Sequence, residues 1–132
     1  MRNFRNLEIW KKSIELVQKV YKLTKKYPDE EKFGLISQMQ RASVSISSNI
    51  AEGCSRNSEI EFKRFLEIAI GSAFELETQL IIGNRLNYHS EVMQSEMIED
   101  LHSLQKQTNS LITKISKSQQ PIANSQQITA NS

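Results

Sequence analysis

Residues 58–86 read SEIEFKRFLEIAIGSAFELETQLIIGNRL, and this stretch decides the fold class. Ser58 and Glu61 form a capping box, in which each side chain satisfies a backbone N–H at the start of a helix. Apolar residues then recur every three or four positions, the period of one helix face. We therefore predict a helix from Ser58 to about Leu86, roughly 43 Å long at about 1.5 Å per residue. The predicted core face holds Phe62, Phe65, Leu66, Ala69, Ala73, Leu76 and Leu80.

Near the start of the chain, a segment with the same period runs from about Leu7 to Tyr27. Asn6 is the predicted N-cap, and Pro28 ends the helix because it forces the preceding residue out of the α region. Two apolar stripes lie side by side on this helix. The stripe that predicts the bundle seam is Leu7, Trp10, Ile14, Val17, Tyr21 and Thr24, and the second stripe is Ile9, Leu16, Val20, Leu23 and Tyr27.

Two more helices complete the pattern. One runs from about Phe33 to Glu52, and Gly53 is expected to end it in the left-handed conformation that glycine adopts readily. The other runs from about Ser90 to Ser116, after a turn at 87–89. Their predicted seams are Ile36, Met39, Ser43, Ile46 and Ile50 in the first, and Met97, Leu101, Leu104, Thr108, Leu111 and Ile115 in the second.

Four helices joined by short connections predict an all-α fold, an antiparallel up-down four-helix bundle spanning residues 1–118. Residues 119–132 carry no charge and too few apolar side chains to offset the entropy of ordering, so we expect a disordered polar tail. The long helix also carries a second apolar stripe, at Ile70, Phe74 and Ile81. A lone bundle would expose it, so these residues are the predicted interface of a homo-oligomer.

Composition narrows the setting in which the protein works. Only four glycines and two prolines occur in 132 residues, which disfavours an all-β fold. No apolar signal segment opens the chain, and no stretch is long enough to span a membrane, so we expect a cytoplasmic protein without a membrane partner. The one cysteine, Cys54, excludes an internal disulfide, and its place after Gly53 predicts a loop position.

Charge is distributed unevenly along the chain. Residues 1–64 hold 13 Lys and Arg against 8 Asp and Glu, whereas residues 65–132 hold 4 against 7. Such a field attracts polyanions, so one hypothesis is sequence-independent binding of RNA or DNA by the first helix. The other interpretation is an ordinary solvated face, paired with acidic patches elsewhere. The candidate nucleic-acid-binding residues are Lys11, Lys12, Lys19, Lys22 and Lys26.

Catalytic and metal-binding signals are weak. Glu99 and His102 form one Glu-x-x-His pair, whereas a di-iron bundle uses two such pairs and two more glutamates. A solvated surface pair is the simpler interpretation. No phosphate-binding loop, nucleophile elbow or paired-cysteine motif occurs. We therefore predict a non-enzymatic protein with no catalytic residues, no metal, no cofactor and no small-molecule substrate.

Several polar residues fall where burial is possible. They either form a polar network at a helix or subunit interface, which would fix register and oligomeric state, or they make up an ordinary wet face. The sequence leaves both interpretations open. The residues concerned are Arg41, Asn49, Glu52, Glu75 and Glu77.

Much of the predicted bundle also resembles a known family, the 23S ribosomal RNA intervening-sequence proteins, often called the four helix bundle protein family. The match spans roughly residues 4–116, and the run from Ser45 to Gly53 is its most specific part. Gln40 departs from the family pattern, which often has a basic residue there. The segments that carry the resemblance are Asn6–Lys11, Phe33–Leu35, Gln40–Ala42, Ser45–Gly53, Ile68–Ser72 and Glu75–Thr78.

The resemblance implies a bacterial, cytoplasmic four-helix bundle assembled as a homopentamer. Some members are encoded in sequences that interrupt large-subunit ribosomal RNA genes, and the family's molecular function is not established. Related accessory proteins of retroelements share the pentameric bundle and associate with nucleic acid. Two hypotheses follow: an oligomer that binds a nucleic acid or a ribonucleoprotein, and a structural or regulatory scaffold that contacts proteins alone.

Overall fold

The computed structural model describes residues 2–119, which contain four α-helices and no strand. They are α1 (Glu8–Thr24), α2 (Leu35–Cys54), α3 (Glu59–Arg85) and α4 (Glu91–Gln119). Single 3₁₀ turns precede α1 at Phe4–Asn6 and α2 at Asp29–Glu31. The all-α, four-helix prediction is confirmed. The predicted tail lies outside the described residues except for Gln119, the last residue of α4, and stays a prediction.

The helices pack in sequence order around a square, each antiparallel to the next. Gln40 of α2 donates to Thr24 at the end of α1, and Ser45 of α2 bonds Ser72 of α3. Glu77 of α3 contacts His102 of α4, and α4 in turn packs against α1. Within residues 2–119, the diagonal pairs α1/α3 and α2/α4 make no backbone contact. This is an up-down bundle, in which short loops join neighbouring helices.

The core confirms three of the four predicted seams. Residues at the predicted spacing on α2, α3 and α4 are buried, apart from Ile36, Phe65 and Leu111, which are partly buried. The most deeply buried large side chains include Phe62, Met39, Ile46, Ile50, Leu66, Leu76, Leu80, Met97, Leu101 and Leu104. Among the described helices, none is both long and apolar enough to cross a bilayer.

The predicted seam of α1 is wrong except at Thr24, which is buried, because the other stripe faces the core. Trp10, Ile14 and Val17 are only half-buried, and Tyr21 is 41% exposed. Both stripes have helical spacing, so periodicity alone does not rank them. Ser13 lies among the core residues, where its Oγ donates to the Trp10 carbonyl at 2.6 Å and so needs no other partner. The buried stripe is Ile9, Leu16, Val20, Leu23 and Tyr27.

Ser58 caps α3 as predicted, accepting from the Glu61 amide at 3.3 Å. The predicted start of α1 and the predicted end of α2 differ from those in the structure. Asn6, however, belongs to a 3₁₀ turn capped by Asn3, and Leu7 precedes α1 without a side-chain cap. Gly53 lies inside α2 and is not left-handed. A Cβ there would meet the Phe65 Cβ at 2.9 Å, so Gly53 is needed for the close approach of α2 and α3.

Cys54 is the last residue of α2 and is buried, which corrects the predicted loop position. Burial raises the pKa of its thiol, although Arg2 acts in the opposite direction. The Arg2 amide donates to the Cys54 carbonyl at 3.0 Å. The Arg2 guanidinium donates to both Glu59 carboxylate oxygens, at 2.5 and 2.8 Å, and lies 4.1 Å from the Phe62 ring centroid. Residues 2–7 therefore form an N-terminal strap across this end of the bundle.

Glu31 joins the two connections at the opposite end. One carboxylate oxygen accepts from the Leu35 amide at 3.3 Å, at the start of α2. The other accepts from the Tyr88 hydroxyl at 2.9 Å, in the turn between α3 and α4. That turn reverses direction at Asn87, whose φ is 63°, a left-handed conformation that asparagine tolerates better than most residues.

We predict that Arg2→Ala increases the reactivity of Cys54 with a thiol reagent. Removing an exposed ion pair and a cation–π contact weakens the strap by about 1 kcal/mol, a change of roughly fivefold in local opening. The measurement is the rate of labelling under native conditions. Arg5→Ala is the matched control, because its guanidinium stacks on Phe4 within the strap itself. Equal labelling of Arg2→Ala and wild type would show that the strap does not protect the thiol.

Candidate interaction surfaces

The predicted lysine face of α1 is turned partly towards α4. Lys12 Nζ donates to Ser103 Oγ at 3.2 Å, and Lys19 forms an ion pair with Asp100. The hydrogen bond to Asp100 is the largest effect that raises the pKa of Lys19. Three of the five predicted lysines thus have partners within the chain, since Lys11 also pairs with a neighbour on α1, Glu8, at 3.4 Å.

A crevice of about 770 Å³ lies between the second half of α1 and the first half of α4. Lys19, Lys22 and Lys26 line it from α1. Three carboxylates line it from α4, and its apolar wall includes leucine and methionine side chains. A phosphate drawn to the lysines here would also meet negative charge, so the crevice itself does not favour an anion. The α4 carboxylates are those of Glu96, Glu99 and Asp100.

The α3 apolar face, defined by Ile70, Phe74 and Ile81, lies on one flank of α3 outside the buried core stripe. Phe74 is 58% exposed and Ile81 38% exposed, whereas Ile70 is half-buried. Ile68 and Ile82 are also exposed, but at about 100° per residue they lie on the other flank of α3. The three predicted interface residues therefore lie together on one flank, to which Ile68 and Ile82 do not belong.

The α1–α2 apolar face, defined by Trp10, Ile14, Val17, Tyr21 and Val44, is the second such surface. It contains the α1 stripe that does not reach the core. Tyr21 is about 200° around α1 from Lys19 at about 100° per residue, so this face lies away from α4. Val44 follows Gln40 by one turn, on the side of α2 that meets α1, and is 40% exposed.

The five polar residues divide among three places. Arg41 and Glu75 line a cavity of about 420 Å³ between α2 and α3. Asn49 belongs to the same seam, because its Nδ2 donates to Ser45 Oγ at 3.0 Å, and that hydroxyl bonds Ser72 of α3. Glu52 pairs with Arg56 at 3.3 Å at the end of α2. Glu77 faces α4 instead.

His102 is engaged by a single carboxylate, that of Glu77 on α3. Its Nε2 lies 3.1 Å from Glu77 Oε1, which also accepts from Gln105 at 3.4 Å. In the described part of the chain, no three His, Cys, Asp or Glu side chains come together as a group that could hold a metal ion.

Sequence reasoning missed a cluster at the turn between α3 and α4. His89 Nδ1 lies 2.6 Å from the Tyr27 hydroxyl, and His89 Nε2 lies 2.6 Å from Gln94 Oε1. The Tyr27 and His89 rings are stacked, and burial raises the pKa of Tyr27. Gly83 makes room, since a Cβ there would lie 2.2 Å from the Tyr27 hydroxyl oxygen. Tyr27 and His89 are 62 residues apart, so no local pattern signals their contact.

The fold and these surfaces define a class: a four-helix bundle protein with two apolar faces left open to solvent. The chain belongs to the 23S rRNA-intervening sequence protein family, whose sequence profile matches residues 5–110. This confirms the resemblance found in the sequence. Comparison with curated proteins finds no significant match.

A solved structure supports the assignment. It is the crystal structure of a protein of unknown function from the S23 ribosomal protein family of Bacteroides thetaiotaomicron. The two chains are 26% identical and superpose with a TM-score of 0.71. The match covers 79% of this chain and 97% of the other.

We predict that Gly83→Ala destabilises the protein by about 1–3 kcal/mol, the usual cost of overpacking. The same change should cost less in a Tyr27→Phe background, because the clashing hydroxyl oxygen is gone. Chemical denaturation of the wild type, both single variants and the double variant measures this coupling. An equal cost in both backgrounds would mean that Gly83 is required for another reason.

Proposed function

We propose that this protein is a non-enzymatic helical bundle that assembles with copies of itself. The observation that carries the proposal is the α3 apolar face. A helix with apolar residues on its outer side as well as its core side is typical of a helix buried on both sides. Monomeric proteins seldom expose a large contiguous apolar patch, and such patches mark sites of association.

A second copy is the partner that this surface fits best. Each chain presents two apolar faces, one on α3 and one on α1 and α2, and they lie on different sides of the bundle. Two different faces that pair between identical chains give a heterologous contact, which closes into a ring when the rotation allows. The ring-like assembly, with five copies as the resemblance implies, is part of this proposal.

We assign no catalytic role, because both histidines already have partners. His89 bonds Tyr27 and Gln94, and His102 bonds Glu77. Catalytic bases are found beside a nucleophile or a bound substrate. Glu77 bears no hydroxyl or thiol, and the Tyr27 hydroxyl is a poor nucleophile because burial raises its pKa.

We expect Phe74→Glu to dissociate the assembly while the chain stays helical, because a buried unpaired carboxylate is strongly unfavourable at an apolar contact. Ile81→Lys should act in the same way. Light scattering coupled to size exclusion gives the mass, and circular dichroism checks the helices. The matched control is Val92→Glu, which places the same charge at a residue that is 68% exposed in the first turn of α4.

Two results would contradict the proposal. One is a wild-type protein that is monomeric at micromolar concentration. The other is a Phe74→Glu variant that keeps the wild-type mass.

A second candidate function is nucleic-acid binding by α1, and one observation favours it. Lys22, Lys25 and Lys26 are exposed, and none of them forms an ion pair within residues 2–119. They cluster at the end of α1, with Lys25 and Lys26 just past its last residue, Thr24, whereas Lys11, Lys12 and Lys19 are engaged by neighbouring side chains. Repetition of this cluster around an assembly would raise avidity without new contacts.

We predict that short RNA and DNA bind weakly, without sequence preference, and lose affinity as salt rises. The slope of log affinity against log salt should be roughly −0.9 per phosphate neutralised on duplex DNA and about −0.7 on single strands. Fluorescence anisotropy at two salt concentrations measures it. Replacing Lys22, Lys25 and Lys26 with Glu should abolish binding.

The matched control makes the same charge change on α4, by replacing Lys106, Lys114 and Lys117 with Glu. If both triple variants bind like wild type, or if wild type fails to bind at low salt, a protein-only scaffold replaces this candidate. The oligomeric mass of every variant is measured first.

A further inference from the structure

Three glycines lie inside helices, and two of them are explained by the packing of the chain. A Cβ on Gly53 would meet Phe65, and one on Gly83 would meet Tyr27. Both glycines thus allow a close approach within the bundle. Gly71 is different, because a Cβ there would have nothing within 4 Å.

Gly71 lies near the middle of α3 and is exposed. Glycine in a helix interior is less favourable than alanine, because the unfolded chain loses more backbone entropy. No contact within residues 2–119 compensates for this loss, and no left-handed conformation requires a glycine. Its four neighbours one turn away are all exposed: Ile68 and Phe74 on one diagonal, and Glu67 and Glu75 on the other. A glycine here leaves a notch between two exposed apolar side chains, with a carboxylate on either side.

We propose that the notch at Gly71 receives an apolar side chain from the α1–α2 apolar face of a second copy. The inference rests on the proposed self-assembly and specifies its geometry. The α1–α2 face offers suitable side chains at Tyr21, 41% exposed, and Val44, 40% exposed. Small residues at a crossing point let two helices approach closely, and large side chains beside them then interlock.

Charge favours this pairing over a contact between two copies of α3. Glu67 and Glu75 lie one turn before and one turn after Gly71, both exposed and without an ion pair in the described chain. Lys25 lies one turn after Tyr21 and is also exposed and unpaired within residues 2–119. The proposed contact brings these opposite charges together, so that Lys25 is engaged within the assembly and Lys22 and Lys26 are the lysines left for the nucleic-acid candidate. An antiparallel α3–α3 crossing centred on Gly71 would instead bring Glu67 of one copy to Glu75 of the other.

The first test fills the notch. Gly71→Leu should weaken assembly by about tenfold or more, because extra methylene groups in a close contact force the helices apart. The monomer should be at least as helical as wild type, since leucine favours helices. Thr78→Ala is the matched control on the same side of α3, and it should assemble normally. Wild-type assembly by Gly71→Leu overturns the proposal.

The second test breaks the two faces separately. Phe74→Glu removes the α3 face and Tyr21→Glu removes the α1–α2 face, so each variant alone should be monomeric. An equimolar mixture retains one intact contact and should give a heterodimer of twice the 15.2 kDa chain mass. Val44→Glu replaces Tyr21→Glu if circular dichroism shows that the latter unfolds.

Each outcome of the mixing experiment is decisive. Normal assembly by the α1–α2 face variant shows that α3 pairs with itself or with another surface, and overturns the proposal. Two monomeric variants that form no heterodimer overturn it as well. A monomeric wild type has a different meaning, because it rejects self-assembly itself.

Discussion

The close antiparallel packing of α2 on α3 is the contact on which the rest of the structure depends. It is possible because small residues meet along the seam: Gly53 at one end and the hydrogen-bonded pair Ser45 and Ser72 in the middle. This contact buries the core side of α3 and fixes its rotation about its own axis. Since α3 carries apolar residues outside its core stripe as well, that rotation determines which of them face solvent. The α3 apolar face is therefore a direct consequence of the α2–α3 seam.

Much of the fold follows from local rules, and its exceptions have physical causes. The seams of α2, α3 and α4 and the cap at Ser58 could be predicted, because helix period and capping depend on neighbouring residues. The choice between two stripes on α1 could not, since it depends on how α2 and α4 flank that helix. Gly53 looked like a helix terminator, yet it serves a packing contact with α3. Cys54 is buried for a similar reason, because the helix continues past Gly53 and residues 2–7 then cover its end.

For the candidate surfaces, the sequence gives the charges and the apolar stripes, whereas only the folded structure shows which side chains have partners. Counting charges identified α1 as basic, and the count is right. It does not reveal that Lys12 and Lys19 reach across to α4, which leaves the end of the helix as the part with unpaired charge. The predicted interface residues Ile70, Phe74 and Ile81 do lie on one face, because a fixed helical period places them there. Gly71 carried no signal of its own, since its meaning depends on comparison with the crowded Gly53 and Gly83.

Glu31 couples the two loops at one end of the bundle. Its carboxylate holds the start of α2 with one oxygen and the α3–α4 turn with the other. Breaking either bond frees that carboxylate to rotate away from the other partner, so the loops should open together and close together. Hydrogen exchange at this end would then report one shared opening event, whereas the strapped end would exchange independently. The two ends of the bundle are in this sense separate units of local stability.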